Sequence, residues 1–86
     1  MTVREAFAKA GHPVPDSGLI YKSSRFWFAV LPLVGCYDEM EFRSGWKHLN
    51  TYERNPRGLS PNLSNMPAKD CLSALPEVVR KVVEEA

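Results

Sequence analysis

The chain has 86 residues, of which 44% are hydrophobic and 24% charged, and its net charge is +1. This length predicts a single domain over residues 1–86, and the near-neutral charge excludes a general attraction to nucleic acid or to an anionic membrane. No apolar stretch is long enough to cross a bilayer, and the N-terminal residues lack the apolar core of a secretory signal. We therefore expect a cytoplasmic protein without a membrane-bound segment.

The first predicted element is a short helix that begins after Thr2. Thr2 and Glu5 have the spacing of a capping box, in which each side chain binds a backbone N–H of the other residue. An apolar stripe follows at helical spacing, formed by Val3, Ala6, Phe7 and Ala10. Gly11 suits the end of this helix, and the two prolines that follow predict an irregular connector up to Gly18.

A central strand is predicted for residues 26–31, the longest apolar run of the chain. The run is short, aromatic and β-branched, and Pro32 follows it. Residues 19–22 are its expected antiparallel partner, joined by Ser23 and Ser24 or by a slightly longer loop. Alternation places two apolar sets on opposite faces: Phe26, Phe28 and Val30 on one, and Trp27, Ala29 and Leu31 on the other.

Both faces of this strand are therefore apolar, and a domain of this size rarely covers both with its own helices. We expect either that one face binds a second copy or a different protein, or that loops and one helix cover it.

Residues 34–37 are interpreted as a short third strand or a turn. Asp38 is a plausible N-cap for a second helix from Glu39 to Tyr52, whose apolar face would hold Phe42, Gly45, Trp46 and Leu49. Gly45 in the middle of that helix would cost about 1 kcal/mol relative to alanine.

Residues 55–67 are rich in proline and asparagine and are predicted to form a long loop. A final helix follows Leu75 and Pro76, because apolar residues recur at helical spacing up to Ala86. We expect it to pack on the sheet. The sequence as a whole predicts an α+β fold with an antiparallel sheet of two or three strands and about three helices.

No constellation in the sequence predicts catalysis, a metal site or a cofactor. Cys36, Cys71, His12 and His48 are single, scattered residues without the paired spacing of zinc ligands. Cys36 with His48 and Asp38 is the only candidate nucleophilic set, but a helical His48 would lie out of reach of the thiol. We therefore expect a protein that is not an enzyme, with no catalytic residues.

Two binding functions remain. The first is a small regulator or inhibitor that occupies the surface of a partner protein, with self-association into a homodimer as a variant. Its predicted contact residues are Tyr21, Arg25, Trp27, Trp46 and Arg57, of the types that dominate interfaces. The alternative is a DNA- or RNA-binding module in which cations contact phosphates and aromatic rings stack on bases. Its predicted residues are Lys22, Arg25, Arg43, Lys47, Arg54 and Arg57.

Overall fold

The computed structural model describes residues 1–23, 25–53 and 62–86. The elements follow in the order α1 (Val3–Lys9), β1 (Leu19–Ser23), β2 (Phe26–Leu33), β3 (Cys36–Phe42), β4 (Trp46–Tyr52), a 3-10 helix (Ala68–Ala74) and α2 (Glu77–Glu84). The predicted α+β class is confirmed. Most of the predicted loop at 55–67 lies outside the described residues.

The four strands form one antiparallel sheet in the order β1-β2-β3-β4. The predicted hairpin of β1 and β2 is confirmed, and its register places Tyr21 opposite Phe28 and Ser23 opposite Phe26. A turn at Val34 and Gly35 leads from β2 into β3. Both the β1–β2 turn and the β3–β4 turn therefore lie at the same end of the sheet.

The predicted second helix from Glu39 to Tyr52 is wrong, and the sheet has four strands instead of two or three. These residues form β3, a turn and β4, with Phe42 opposite Trp46. The helical spacing of the apolar residues was misleading, because residues i and i+4 also face each other across a tight hairpin. Gly45, with a φ of 149°, lies in the turn. Asp38 is not a helix cap but lies within β3, opposite Leu31 of β2.

Helix α1 begins as predicted. The backbone N–H of Thr2 donates to Glu5 Oε1 (2.8 Å), and the N–H of Glu5 donates to Thr2 Oγ1 (3.2 Å). The distant residue Ser64 also holds this end, because its carbonyl accepts from the N–H of Arg4 at 3.0 Å. Ser64 is fully buried, and its Oγ accepts from the N–H of Ile20 in β1 at 2.7 Å. The segment after residue 61 therefore connects α1 to β1 through hydrogen bonds at the edge of β1 that faces away from β2.

The hydrophobic core lies between α1 and one face of the sheet, which we call the inner face. Phe7 is at its centre and packs against Trp27, Phe42 and Trp46 with ring centroids 5.0–5.7 Å apart. The other buried core residues are Val3, Ala6, Val14, Ile20, Ala29, Ala68, Leu75 and Val79. Aromatic pairs of this kind contribute about 0.5–1.5 kcal/mol each beyond the area that they bury.

Helix α2 begins at Glu77, directly after Pro76, in the region where the sequence predicts a helix. Its main neighbours are α1 and the 3-10 helix, and its predicted packing on the sheet is not confirmed. Val79 is its one fully buried residue, while Val78 remains 43% exposed. No helix in the described part of the chain has the length and apolar character that spanning a membrane requires.

Candidate interaction site on the outer face of the sheet

The face of the sheet opposite α1, which we call the outer face, carries aromatic and charged side chains. Strand alternation and the observed register place on it Tyr21, Phe26, Phe28, Val30, Tyr37, Glu39, Glu41, Lys47 and Tyr52. None of these residues belongs to the core around Phe7. Val30 is buried at its centre, whereas Phe26 and Tyr52 are 38% and 39% exposed. The outer face therefore has a filled centre and exposed aromatic edges.

Two stacked aromatic pairs stand on either side of Glu39. The rings of Tyr21 and Phe28 are 5.3 Å apart with planes at 17°, and those of Tyr37 and Tyr52 are 4.9 Å apart at 19°. Tyr21 Oη donates to Glu39 Oε2 at 2.5 Å, and Tyr52 Oη donates to Glu39 Oε1 at 3.4 Å. We call these five residues the tyrosine–glutamate cluster.

The surroundings of the two phenols that bind Glu39 raise their pKa values. Burial raises the pKa of Tyr21 well above its usual range, and its hydrogen bond to Glu39 raises this pKa further. The nearby negative charge of Glu39 is the largest cause that raises the pKa of Tyr52. Both hydroxyls therefore act as donors at neutral pH, and the carboxylate keeps its remaining lone pairs for another donor.

A second carboxylate on the outer face already binds a cation. Arg43 Nε lies 2.6 Å from Glu41 Oε1, and the Arg43 guanidinium lies 5.0 Å from the centroid of the Phe26 ring. One arginine thus contacts an aromatic ring and a glutamate at once, an arrangement that combines cation–π attraction with a charged hydrogen bond.

The structure separates the residues that the sequence predicts for partner binding. Tyr21 is part of the tyrosine–glutamate cluster and is buried, with 6% exposure, whereas Arg25 is exposed in the β1–β2 turn. Trp27 lies in the core with 3% exposure and donates its indole N–H to the carbonyl of Ala74 at 2.9 Å. Trp46 is half-buried on the inner face and donates to the carbonyl of His12 at 2.9 Å. The predicted contact residue Arg57 lies outside the described residues.

Four of the residues predicted for nucleic-acid binding lie at one end of the sheet. They flank the β1–β2 and β3–β4 turns, and we call Lys22, Arg25, Arg43 and Lys47 the basic end. Arg43 is partly neutralised there by Glu41. Arg54 and Arg57, the other two predicted residues, lie outside the described part of the chain.

The candidate nucleophilic set is only partly assembled. His48 Nε2 lies 3.5 Å from Asp38 Oδ1, and the hydroxyl of Thr51 lies between them, 2.8 Å from His48 Nε2 and 2.7 Å from Asp38 Oδ1. Cys36 lies two residues before Asp38 on β3, and its thiol makes no hydrogen bond to His48 or Asp38 among the described contacts. The structure therefore pairs the imidazole with Asp38 and Thr51 and not with the thiol.

Groups that could hold a metal ion are likewise absent from the residues that the structure describes. Cys36 and Cys71 are free thiols. Burial raises the pKa of the Cys71 thiol, which favours its protonated and unreactive form.

Two of the cavities among the described residues open on the helix side of the sheet. The larger, of about 540 Å³, lies between the β3–β4 turn and the start of α2. Its charged groups Lys81 and Glu77 lie 3.9 Å apart and pair with each other, and His12 packs edge-on against Phe42. The smaller, of about 160 Å³, is an apolar cleft between the proline-rich connector and the inner-face residue Trp46. Neither cavity holds a buried side-chain polar atom that lacks a hydrogen-bond partner among the described residues.

Sequence reasoning missed Tyr37, Glu39, Glu41 and Tyr52 as site residues, because it interpreted all of them except Tyr37 as helical. The signal was present in the alternation of Glu39 and Glu41 with Met40 and Phe42, a period of two. Comparisons of the chain with protein families, with curated proteins and with solved structures found no match.

Proposed function

We propose that this protein is a non-enzymatic interaction module, a small regulator or inhibitor that binds the surface of a partner protein through its outer face. The observation that carries the proposal is the set of aromatic rings that remain partly exposed on this face, Phe26 and Tyr52 above all. Tyrosine and arginine anchors supply most of the binding energy at protein interfaces.

The aromatic rings of the outer face are held in fixed positions, and this supports the proposed function. Stacking and hydrogen bonds already hold the rings of Tyr21 and Tyr52 in place. Side chains that are fixed before binding lose little conformational entropy when a partner arrives, and tyrosine has few rotatable bonds to lose. Such a surface loses less of its binding energy to the ordering of side chains than a mobile surface does.

A pull-down compares two variants that each truncate one exposed apolar side chain. Tyr52→Ala removes a ring from the outer face, and Val78→Ala removes a side chain of similar exposure, 43%, from α2. Tagged proteins are incubated with nuclease-treated lysate of the source cells, and captured proteins are identified by mass spectrometry. We expect the wild type and Val78→Ala to capture the same protein and Tyr52→Ala to lose it. Equal capture by both variants would contradict binding through the outer face.

Binding to a second copy is the homodimeric form of this proposal. It predicts a molecular mass by light scattering that rises with concentration toward twice the monomer mass in the wild type, and that stays monomeric in Tyr52→Ala. A constant monomer mass in both proteins would leave a different protein as the partner.

Nucleic-acid binding is the second candidate, and the basic end supports it. Lys22, Arg25, Arg43 and Lys47 converge at one end of the sheet beside the partly exposed ring of Phe26. Glu39 and Glu41 oppose it, because carboxylates beside the rings repel phosphates. A fluorescently labelled duplex and a labelled single strand test it: binding that weakens in Arg25→Gln would support this candidate, and no binding of either would exclude it.

A further inference from the structure

Glu39 and Glu41 both lie beside aromatic rings, but only Glu41 forms an ion pair with a cation among the described residues. Glu41 binds Arg43, which also lies over the ring of Phe26. Glu39 lies two residues earlier on the same strand and the same face, with four aromatic rings around it. The ion pairs of residues 1–23, 25–53 and 62–86 include Glu41 and do not include Glu39.

We propose that the tyrosine–glutamate cluster is a binding site for an arginine side chain presented by the partner protein. The inference rests on the proposed function, because the partner supplies the arginine. The guanidinium would lie against the exposed ring of Tyr52 and donate to the lone pairs of Glu39 that the two phenols leave free. Arg43 makes the same combination of contacts, to the carboxylate of Glu41 and the ring of Phe26, on the same face of the same sheet.

The charge of the site selects the occupant. A phosphate would meet the negative charge of Glu39, and the two phenol hydroxyls bound to Glu39 already donate to the carboxylate. An apolar side chain would cover the carboxylate without giving it a new partner, which is unfavourable. A cation avoids both penalties and gains from the ring faces.

Arginine fits better than lysine for geometric reasons. Its planar guanidinium stacks on an aromatic ring and still directs N–H groups at a carboxylate in the same plane, whereas an ammonium is a strongly hydrated point charge. The hydroxyls of Tyr21 and Tyr52 hold Glu39 from both of its oxygens, so the acceptor is already fixed in orientation. A fixed acceptor favours a rigid, planar donor.

A titration with a small probe tests the site without a partner protein. The probe is acetyl-Gly-Arg-Gly-amide, and its control is the same peptide with citrulline, which is neutral and nearly identical in shape. Binding is followed by amide and tyrosine-ring NMR shifts of the ¹⁵N- and ¹³C-labelled protein at low salt. We expect the arginine peptide to shift the resonances of Glu39, Tyr37 and Tyr52 and the citrulline peptide to bind at least tenfold more weakly. Equal shifts with both peptides, or none with either, would overturn the proposal.

Two matched variants assign the site to Glu39. Glu39→Gln removes the proposed acceptor, whereas Glu41→Gln removes a carboxylate on the same strand and face that Arg43 already occupies. We expect Glu39→Gln to weaken binding of the arginine peptide at least tenfold and Glu41→Gln to leave it within about twofold of wild type. The reverse order would overturn the assignment. If Glu39→Gln does not fold, Tyr52→Leu keeps the carboxylate and removes a ring face, and unchanged binding to it would also overturn the proposal.

The proposed function and this inference can fail separately. If a partner protein is lost by Tyr52→Ala but retained by Glu39→Gln, the outer face binds a protein and the arginine site is wrong. If the arginine peptide binds at Glu39 while Tyr52→Ala and Val78→Ala capture the same proteins, the arginine site is present and the proposed use of the outer face is wrong.

Discussion

At the scale of single residues, Trp27 shows how burial decides the role of an aromatic side chain. It is 3% exposed, packs edge-on against Phe7 and donates its N–H to the carbonyl of Ala74. The sequence leaves open whether this ring is core or interface, since both faces of its strand are apolar. Its contacts in the structure are those of a core residue that joins the sheet to α1 and to the 3-10 helix.

We therefore predict that Trp27→Ala unfolds the protein or lowers its free energy of unfolding by about 3–5 kcal/mol. Trp27→Phe keeps an aromatic ring but leaves the Ala74 carbonyl without its donor, and we expect a smaller loss of about 1–3 kcal/mol. Urea denaturation followed by circular dichroism measures both. Wild-type stability in Trp27→Ala, combined with lost partner binding, would show that Trp27 is an interface residue after all.

The two tyrosines that bind Glu39 are expected to respond differently when its charge is removed. The charge of Glu39 is the largest cause that raises the pKa of Tyr52, whereas burial is the largest cause for Tyr21. Glu39→Gln should therefore lower the pKa of Tyr52 toward its usual value of about 10 and leave the pKa of Tyr21 high. A titration of the tyrosine ζ-carbon resonances measures both, and a Tyr21 pKa that also fell to the usual value would contradict burial as its largest cause.

The raised pKa of Tyr21 also makes the stability of the folded protein depend on pH. The folded-state pKa of Tyr21 lies above its unfolded value of about 10, so its contribution is complete below pH of about 10 and is lost as the pH rises toward the folded value. We expect the free energy of unfolding to fall above that pH, and to fall less in Tyr21→Phe. A fall of the same size in Tyr21→Phe would assign the effect to other groups.

At the scale of secondary-structure elements, the sequence correctly predicted two features that interactions between neighbouring residues stabilise. The capping box of Thr2 and Glu5 and the hairpin of β1 and β2 were predicted from neighbouring residues and are present. The β3–β4 hairpin was missed because Phe42 and Trp46 face each other across its turn at a spacing that a helix also gives. Ser64 was missed because it binds the N–H of Ile20, 44 residues away. The first of these omissions removed Glu39, Glu41 and Tyr52 of the outer face from the predicted site.

The stability change caused by Gly45→Ala has opposite signs in the observed hairpin and in the predicted helix. In a helix, Gly45→Ala would stabilise the protein by about 1 kcal/mol. In the observed turn Gly45 has a φ of 149°, which side chains rarely adopt, although the nearest atoms to an added Cβ are at an ordinary 3.6 Å. We therefore expect backbone strain to make Gly45→Ala less stable by about 1–3 kcal/mol. Thermal denaturation measures it, and stabilisation would contradict the turn.

Ser44→Gly is the matched variant for this turn. Ser44 has a φ of 61°, so glycine relieves its strain while adding freedom to the unfolded chain. We expect its stability to remain within about 1 kcal/mol of wild type, in contrast to the loss in Gly45→Ala.

At the scale of the whole molecule, the fold distributes apolar and charged groups unevenly although the net charge is only +1. The core uses the inner face of the sheet, so α1, the 3-10 helix and α2 contribute their buried residues to that side. The outer face keeps its aromatic pairs and two carboxylates, and the basic end lies beside them. The two candidate functions therefore use adjoining surfaces that differ in charge, and salt affects them differently.

The dependence of binding on salt separates the two functions. If all four residues of the basic end contact phosphates of a duplex, raising the salt from about 50 to about 200 mM should weaken binding by about a hundredfold. A protein held by the outer face, with its aromatic contacts and a single arginine, should weaken only several-fold. Arg25→Gln is the diagnostic variant, because it should reduce the logarithmic salt slope by about one for nucleic acid and leave it unchanged for a protein partner. A steep slope that Arg25→Gln reduces would therefore assign the protein to nucleic acid and contradict binding through the outer face.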